Sequence, residues 1–554
     1  MKDKKTLLWL YKSSKKQIPF VILIVVLRTA MTMLGVFFAL LSKGVIDAAV
    51  ARDSRELFFR SAVIVSVILC QIVIKFFGNM IEERSHTKLE TDLKAKLYSN
   101  ILRKDFEKIT AYHSGDLLTR LSSDAVIIAN GIISLVPAVF AMLAGIITAF
   151  SALVSLDRAF AVVFLLGGII LLIIIGLFRK LLKNMHKRVQ EADSKVRSFF
   201  QESIMSLLMI KVFSIENVMD KKSDELQNEY FKARMKRRNI TVSANTGLSF
   251  AFSFASLFAL LRSAFRLFEG NITFGTLTAV IQLVSQIQSP IAGLSSVLPQ
   301  YFNILASAER IIEIEELPNE READKSLTAA DYENLESIEF ENINFSYGRE
   351  NIFSGAYAEI KKGDFVVITG ISGIGKSTLL KLLLGVIYPE KGGIYIKLKT
   401  GEKILSGKDT RSLFSYVPQG NLLLSGTIRE SISMVKPEAK DEEIIKAAKI
   451  AQAADFIEKL PKGLDTFIRE KGAGLSEGQI QRLAIARAIL SDAPIILLDE
   501  ATSALDEATE EKLLKNLREL KDKTCVLISH KNAAYSICNK EIKIEENKIL
   551  IREI

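Results

Sequence analysis

The strongest constraint on the fold is a series of long apolar stretches confined to the first 300 of the 554 residues. A helix needs about 20 mostly apolar residues to cross the hydrocarbon core of a bilayer, and each stretch reaches that length. The six predicted spans cover residues 18–46, 57–81, 130–156, 159–179, 242–267 and 273–299. We therefore predict an all-α transmembrane domain of six helices over residues 1–315.

The charge of the connecting segments predicts which side of the membrane they face. The first 16 residues hold six lysines and one aspartate, and the long connections 82–130 and 179–240 are rich in Lys and Arg. Because such an excess marks the cytoplasmic side, we expect both termini and both long loops to lie inside a multi-pass protein of the cell membrane. The formal charge of +10 is accounted for by these positions, so no nucleic-acid partner is expected.

Four basic residues fall within the predicted spans, where charge is costly and therefore informative. Arg28 and Lys75 lie in the first two spans, and Arg262 and Arg266 lie one helical turn apart near the outer end of the fifth. One interpretation is interhelical hydrogen bonding for the first pair and side chains that reach the interface for the second. The other is a basic wall in a transport cavity, which favours anionic or zwitterionic cargo.

A soluble α/β domain is predicted after an acidic, aperiodic linker at 316–336, and it covers residues 337–554. Residues 370–377 read GISGIGKS and fit the phosphate-loop pattern G-x-x-x-x-G-K-[ST]. The pattern stands in its proper context, between the apolar strand 364–369 and the helix 378–385. Lys376 is placed to reach the outer phosphates of a nucleotide, and Ser377 offers a hydroxyl to Mg²⁺.

Three polar residues at the ends of two further apolar strands complete a hydrolytic site. The strand PIILLDE ends in Asp499, which can hold the water shell of the metal, and in Glu500, which can accept a proton from an attacking water. The strand TCVLIS is followed by His530, which could contact the terminal phosphate. These residues predict a P-loop ATPase domain.

A second anion-binding helix start follows about a hundred residues later, at GLSEGQ (474–479). The first N–H groups of a helix are unpaired and the helix dipole is positive there, so such a start binds anions. One chain thus carries two phosphate-binding elements that are far apart in sequence.

Together these motifs resemble the ATP-binding cassette exporters, in the half-transporter form with the membrane domain first. The resemblance covers nearly the whole chain. It identifies GISGIGKST as the Walker A loop, LSEGQ as the signature, IILLDE as Walker B and SALD (503–506) as the D-loop. Segments 113–124 and 202–216 resemble those that flank the two coupling helices.

The resemblance also implies roles for individual residues. Tyr347 would stack on adenine, Gln419 would touch the metal and take part in catalysis with Glu500 and His530, and the metal would be held by Ser377, Gln419 and Asp499. The implied nucleotide-binding residues are Tyr347, Gly370, Ser372, Gly373, Gly375, Lys376, Ser377, Thr378, Gln419, Ser476, Gly478, Gln479 and Asp506.

Family architecture implies a dimer in which two cassettes face each other head to tail. Each ATP, with Mg²⁺, would be held by the Walker A loop of one subunit and by Ser476, Gly478 and Gln479 of the other. The partner would be a second half-transporter, either another copy or a related chain. Glu477 departs from the usual Gly-Gly pair of the signature, and a carboxylate there is expected to weaken ATP binding slightly.

The leading hypothesis is an ATP-driven exporter of amphipathic cargo, such as a drug, a lipid or a peptide, that works by alternating access. An importer on the same fold, for metal chelates such as siderophores, is the alternative. A soluble cassette ATPase acting on nucleic acid or ribosomes is a third reading, which six spans make much weaker.

Overall fold

The structure is a computed structural model that describes residues 2–322, 325–348, 350–420, 423–469, 472, 474–520 and 522–554. Side chains at 2–3, 159, 161, 163–166, 169–183, 186, 294–296 and 298 are also outside the description. The chain forms two compact units, one of Met1–Ser99 with Gly115–Glu315 and one of Asn100–Ser114 with Glu316–Ile554.

The first unit consists, within its described residues, of helices joined by short connections. Its helices, with the short α4 of the second unit, are α1 Lys2–Ser14, α2 Ile18–Val50, α3 Ser54–Ile101, α4 Phe106–Thr110, α5 Ser114–Thr119, α6 Ala125–Asn130, α7 Val136–Leu156, α8 Arg158–Met205, α9 Leu207–Val212, α10 Glu216–Phe268 and α11 Phe274–Glu315. Wider π-helical turns at 120–124 and 131–135 join α5, α6 and α7.

Each predicted span falls on a helix of this unit. Within the described residues, four stretches are long and apolar enough to cross a membrane: Lys4–Val50, Ser54–Ile101, Ser114–Leu156 and Glu216–Phe268. Most side chains of the predicted span 159–179 lie outside the described residues. In the most apolar 18-residue window of each stretch, at most 28% is buried within the chain, which suits helices that face lipid. The number of spans and the domain boundaries stay predictions.

Arg28 makes the interhelical contacts that one of the two interpretations expected. Its Nη2 lies 2.7 and 2.6 Å from the two carboxylate oxygens of Glu82 on α3. Its Nη1 donates to the backbone oxygen of Ser134, whose hydroxyl in turn donates to Glu82 at 2.8 Å. Because the guanidinium is neutralised by Glu82, it does not present a free positive wall. Lys75, in contrast, is exposed on α3.

Arg262 and Arg266 share one acid, contrary to the expectation that they simply extend to the interface. Arg266 Nη1 lies 2.8 Å from Asp157 Oδ2, and Arg262 Nε lies 3.4 Å from the same atom. Arg262 also stacks over the ring of Phe160, with 5.4 Å to the centroid. Asp157 lies in the short connection between α7 and α8. Because it is more than 100 residues before the two arginines in the sequence, the ion pairs could not be predicted from sequence.

The described residues of the second unit form two large sheets and a small two-stranded one. Its described strands are β1 Leu335–Tyr347, β2 Glu350–Lys361, β3 Phe365–Thr369, β4 Lys391–Leu398, β5 Lys403–Leu405, β6 Phe414–Val417, β7 Gly426–Thr427, β8 Phe467–Ile468, β9 Ile495–Asp499, β10 Thr524–Ile528, β11 Lys540–Glu545 and β12 Lys548–Glu553. An antiparallel sheet has the order β2-β1-β4-β5, and a six-stranded sheet has the order β12-β11-β3-β10-β9-β6. The small sheet is β7-β8.

Helices cover the six-stranded sheet and join its strands. They are α12 Lys376–Leu383, α13 Ile428–Ser433, α14 Asp441–Ile450, α15 Ala454–Glu458, α16 Glu477–Leu490, α17 Glu507–Arg518 and α18 Asn532–Tyr535. The strands predicted around 364–369, 494–500 and 524–529 are confirmed as β3, β9 and β10, and all their residues are buried.

The apolar runs of these strands are explained by burial on both faces. On β3, Val366 and Ile368 pack into the core shared with the antiparallel sheet, and Phe365 and Val367 pack into the core shared with the helices. β3, β6, β9, β10 and β11 run parallel, and β12 alone pairs antiparallel within the sheet. Their carboxyl ends therefore meet at one edge, where ligands bind in open α/β sheets.

Candidate functional site

The phosphate loop leaves β3 at this edge and turns directly into α12. Gly370, Gly373 and Gly375 have φ angles of +145°, +83° and +109°, which residues other than glycine rarely adopt. A Cβ at Gly375 would lie 2.4 Å from Ile352 Cγ2, so the position is also sterically closed. The loop can therefore aim the unpaired first N–H groups of α12 at an anion.

Lys376 is the charged centre of this loop, and it is buried with only 6% of its surface exposed. Its ammonium donates to the backbone oxygens of Gly370 and Ile371 at 2.8 and 3.2 Å. It also lies 3.0 Å from Nε2 of His530. Because an ammonium can only donate, His530 is the acceptor. The lysine and the histidine that sequence motifs placed 154 residues apart thus converge on one point.

A second cluster forms where β9 and β6 end. Ser377 donates to Asp499 Oδ1 at 2.9 Å, and Tyr416 donates to Asp499 Oδ2 at 3.0 Å. Asp499 is 1% exposed, and burial raises its pKa although the two hydroxyls lower it. Burial and the adjacent carboxylate also raise the pKa of Tyr416.

These oxygen ligands fit a hard divalent cation. Mg²⁺ prefers one or two carboxylates with hydroxyl and water oxygens, and Ser377 and Asp499 supply such a pair already in contact. The amide of Gln419 instead donates to Glu500 Oε2 at 2.5 Å. The structure therefore joins Ser377 with Asp499 and Gln419 with Glu500, as two neighbouring pairs.

Glu500 takes an unusual backbone conformation directly after β9. Its φ is +50°, in the left-handed region that costs a residue with a side chain about 1 kcal/mol or more. The preceding Asp499 stays buried while Glu500 is only partly buried. The turn thus separates two consecutive acids into different surroundings, one suited to a metal and one open to water.

The signature segment starts α16 with a reciprocal cap. Ser476 Oγ accepts from the N–H of Gln479 at 3.3 Å, and Gln479 Oε1 accepts from the N–H of Ser476 at 2.8 Å. The predicted helix start is confirmed, with Glu477 as its first residue. The cap occupies the N–H of Gln479, so an anion at this end would use the hydroxyl of Ser476 or the remaining N–H groups of the first turn.

Four further predicted residues have different surroundings. Tyr347 is 43% exposed at the end of β1 and packs edge-on against Phe345, with 4.8 Å between ring centroids. Asp506 is the N-cap of α17, where it accepts from the N–H of Thr509 at 2.9 Å. That hydrogen bond lowers the pKa of Asp506. Ser372 is exposed on the phosphate loop and Thr378 is buried in α12.

Sequence motifs did not reveal the contacts that hold the D-loop. Lys531 donates to the backbone oxygens of Thr502 and Leu505, each at 3.0 Å, and lies 2.9 Å from the buried carboxylate of Glu510. From the other side, Gln481 donates to Ser503 Oγ at 3.0 Å. Lys531 directly follows His530 in the sequence, and this position next to a predicted site residue was the only sequence feature that could have indicated its role.

We predict that Lys531→Met lowers kcat for ATP hydrolysis roughly tenfold, because two backbone carbonyls lose their donor and a buried acid loses its ion-pair partner. Lys523→Met is the matched control, since Lys523 also serves two backbone oxygens and one acid, at Asp492 and Ala493. Lys531→Arg should restore most of the rate. Steady-state ATPase assays measure kcat of each variant, and thermal unfolding verifies that each variant is folded. Equal rates for the two methionine variants would contradict the prediction.

Burial of Asp499 predicts a trade between stability and activity. The pKa of Asp499 is raised in the folded protein. The free energy of unfolding therefore falls as the pH rises through this raised pKa, because the buried carboxyl group must then ionise. At pH 7, Asp499→Asn should raise the thermal midpoint without Mg²⁺ by about 2 °C while reducing ATPase activity at least roughly tenfold. The gain should shrink at acid pH, and exposed Asp224→Asn should show neither effect. A lower midpoint for Asp499→Asn would refute this account.

Comparison with known proteins agrees with this arrangement. Residues 21–291 match the family described as ABC transporter transmembrane region, and residues 353–503 match the family described as ABC transporter. The chain is 33% identical over 473 residues to a probable ABC transporter ATP-binding/permease protein of Haemophilus influenzae, covering 83% of this chain and 84% of that protein.

Two further matches extend over most of the chain. An ATP-dependent lipid A-core flippase of Desulfotalea psychrophila is 29% identical over 505 residues, which is 88% of this chain and 85% of the flippase. The fold also resembles that of a bacterial Atm1-family ABC exporter with ATP bound, with a TM-score of 0.80 at 22% identity, covering 97% and 94% of the two chains. The chain therefore belongs to the ABC transporters, with a transmembrane region N-terminal to an ATPase domain that couples ATP hydrolysis to transport.

Proposed function

We propose that this chain is a half-transporter that pairs with a second one and exports amphipathic cargo by alternating access. The observation that carries the proposal is the convergence of Lys376, His530, Ser377, Asp499 and Glu500 at one edge of the parallel sheet. This is a complete hydrolytic half-site, so a pair of identical chains needs no other catalytic subunit. A related partner chain would serve equally well.

Hydrolysis follows from the roles that this geometry allows. Lys376 and the N–H groups that begin α12 would hold the outer phosphates, and Glu500 would take a proton from the attacking water. His530, which accepts from Lys376, would contact the terminal phosphate. Ser377, Asp499 and Gln419 would hold Mg²⁺, which when bound neutralises charge on the phosphates.

The second half of each nucleotide site would come from the partner subunit. Ser476, Gly478 and Gln479 form the start of α16, and Asp506 belongs to the D-loop beside it. A Cβ at Gly478 would lie 2.8 Å from the backbone oxygen of Ala504, so the start of α16 and the D-loop are packed closely within one chain. ATP would favour the closed pair because only that state completes both halves of the site.

The direction, cargo and orientation are further parts of the proposal. The relatives are named for lipid A-core flipping and multidrug export, which favours export over the importer alternative. The Lys and Arg excess of the two long loops supports an orientation in which the ATPase domain and both termini lie on the cytoplasmic side of the cell membrane. Segment 202–216 exposes Met205 and Leu208 at 80% and 78%, as a coupling segment for the ATPase domain would.

Inside-out membrane vesicles test this function directly. An amphipathic fluorescent dye should accumulate in vesicles that contain the wild-type chain when ATP and Mg²⁺ are added outside, and not in vesicles with Lys376→Met. ATP-driven loss of preloaded dye would show import instead. The mass of the purified complex, with every subunit identified, separates a homodimer from a heterodimer.

A further inference from the structure

The carboxyl end of the phosphate-loop helix is held by one arginine from a distant loop. Arg411 donates from Nε to the backbone oxygen of Leu384 at 3.0 Å and from Nη2 to that of Gly385 at 2.8 Å. Leu384 is the C-terminal cap of α12, so the guanidinium satisfies carbonyls that the helix leaves unpaired. A cation at this end also complements the helix dipole.

The same guanidinium is joined to the linker. Its Nη1 lies 3.1 Å from both carboxylate oxygens of Glu320, and the exposed fractions of the two side chains are 29% and 16%. Next to this pair, Arg321 stacks over the ring of Tyr388 at 4.7 Å. Because Arg is planar and forked, it presents separate N–H groups to the acid and to the two carbonyls in one fixed geometry.

The linker in turn pairs with the end of the first long loop. The N–H of Glu320 donates to Arg103 O at 3.1 Å, and the N–H of Asp105 donates to Pro318 O at 3.0 Å. Lys104 bridges to Asn319 in antiparallel fashion, and its ammonium donates to Leu317 O at 2.7 Å. Residues 103–105 follow α3 directly in the chain, and residues 317–320 follow α11 directly.

We propose that Arg411 is a positioning residue that couples this two-stranded junction, residues 103–105 with 317–320, to the occupancy of the phosphate loop. The eight residues of α12 span only about 12 Å, so one rigid helix separates the junction from Lys376 at the other end. A displacement of α3 or α11 that moves the junction would shift α12 through Glu320 and Arg411. This coupling does not depend on the cargo or on the direction of transport.

Coupling of this kind is reciprocal, which makes it measurable from either end. If the junction affects ATP binding, ATP must stabilise the junction by the same factor. The N–H groups of Asp105 and Glu320 report the junction directly, because both donate across it. Their hydrogen exchange in the ligand-free and ATP-bound protein therefore measures the coupling.

The experiment uses the full-length transporter in lipid nanodiscs, in a Glu500→Gln background so that ATP persists. ATP should slow exchange in peptides covering 103–106 and 317–321 by at least about threefold. With Arg411→Met added, this slowing should disappear, while peptides of the phosphate loop remain protected. With Glu500 intact, Arg411→Met should raise KM for ATP about two- to fivefold with a smaller change in kcat.

Arg429→Met is the control, because Arg429 is exposed to a similar extent, 33% against 29% for Arg411, and forms its own ion pairs with Asp441 and Asp465. It should leave the ATP-dependent slowing intact. Glu320→Gln should weaken the coupling while leaving the hydrogen bonds of Arg411 to Leu384 and Gly385 in place. If Arg411→Met does not fold, Glu320→Gln replaces it in the test. Equal slowing in the parent and in the Arg411 or Glu320 variants would overturn the proposal, as would a parent that shows no slowing.

Discussion

Glu500→Gln is expected to reduce ATP hydrolysis by about 10²- to 10⁴-fold while leaving ATP binding almost unchanged. The amide has the shape of the acid but cannot accept a proton from water. Lys376, Ser377 and Asp499, which hold the phosphates and metal in our proposal, are untouched by the change. The variant should therefore retain bound ATP and remain in the closed, paired state.

The position of Glu500 explains why so small a change should have so large an effect. It takes a left-handed backbone conformation at the carboxyl edge of the sheet, and its carboxylate is oriented by the amide of Gln419 at 2.5 Å. Such strain persists only where the surrounding structure enforces it, and it is common at functional sites.

Retention of radiolabelled ATP, together with the rate of phosphate release, measures the effect. Glu507→Gln is the control, since Glu507 is an exposed acid at the start of α17. A Glu500→Gln protein that hydrolyses ATP at more than a tenth of the wild-type rate would show that another group activates the water.

The second large effect concerns where the two halves of each site come from. Lys376→Met and Ser476→Asp should each abolish activity in a pair of identical chains. Ser476→Asp keeps a good N-cap for α16 but places a negative charge toward the triphosphate, which repels it. Ser476→Asn, a neutral cap of the same size, is the control and should keep most of the activity.

Mixing the two inactive chains should restore activity if ATP is held between subunits. A mixed pair contains one site with an intact phosphate loop and an intact signature, and one site with both defects. Co-expressed, differently tagged chains purified through both tags should therefore regain at least about tenfold more ATPase activity than either parent. If each chain held its own complete site, the mixed pair would be as inactive as the parents.

Much of the ATPase site was predictable from local patterns, because each pattern is tied to a short-range physical need. The glycines of GISGIGKS are required by positive φ angles at Gly370, Gly373 and Gly375. The apolar runs ending in Asp499 and before His530 are strands buried on both faces. Parallel strands of that kind bring their carboxyl ends together, so the residues that follow them meet at one edge.

The contacts between side chains were not predictable, because they join residues that only the fold brings together. Tyr416 and Ser377 share Asp499 from opposite sides, and the pairing of Gln419 with Glu500 crosses 81 residues. In the helical unit, Glu82 neutralises Arg28, and Asp157 pairs with both Arg262 and Arg266. Hydropathy locates such charges in a span but says nothing about which neighbour faces them.

Periodicity thus predicted the elements, and the motifs indicated the family and the groups that we propose to react, since all of these depend on residues close together in the sequence. Tertiary structure alone decided which charges are paired and how the loops are held. Arg411 illustrates the difference: it belongs to no motif, yet it joins the linker to the far end of the phosphate-loop helix. The residues that Arg411 contacts lie 26 to 91 positions away in the sequence. Only the tertiary structure brings them within hydrogen-bond distance of one guanidinium.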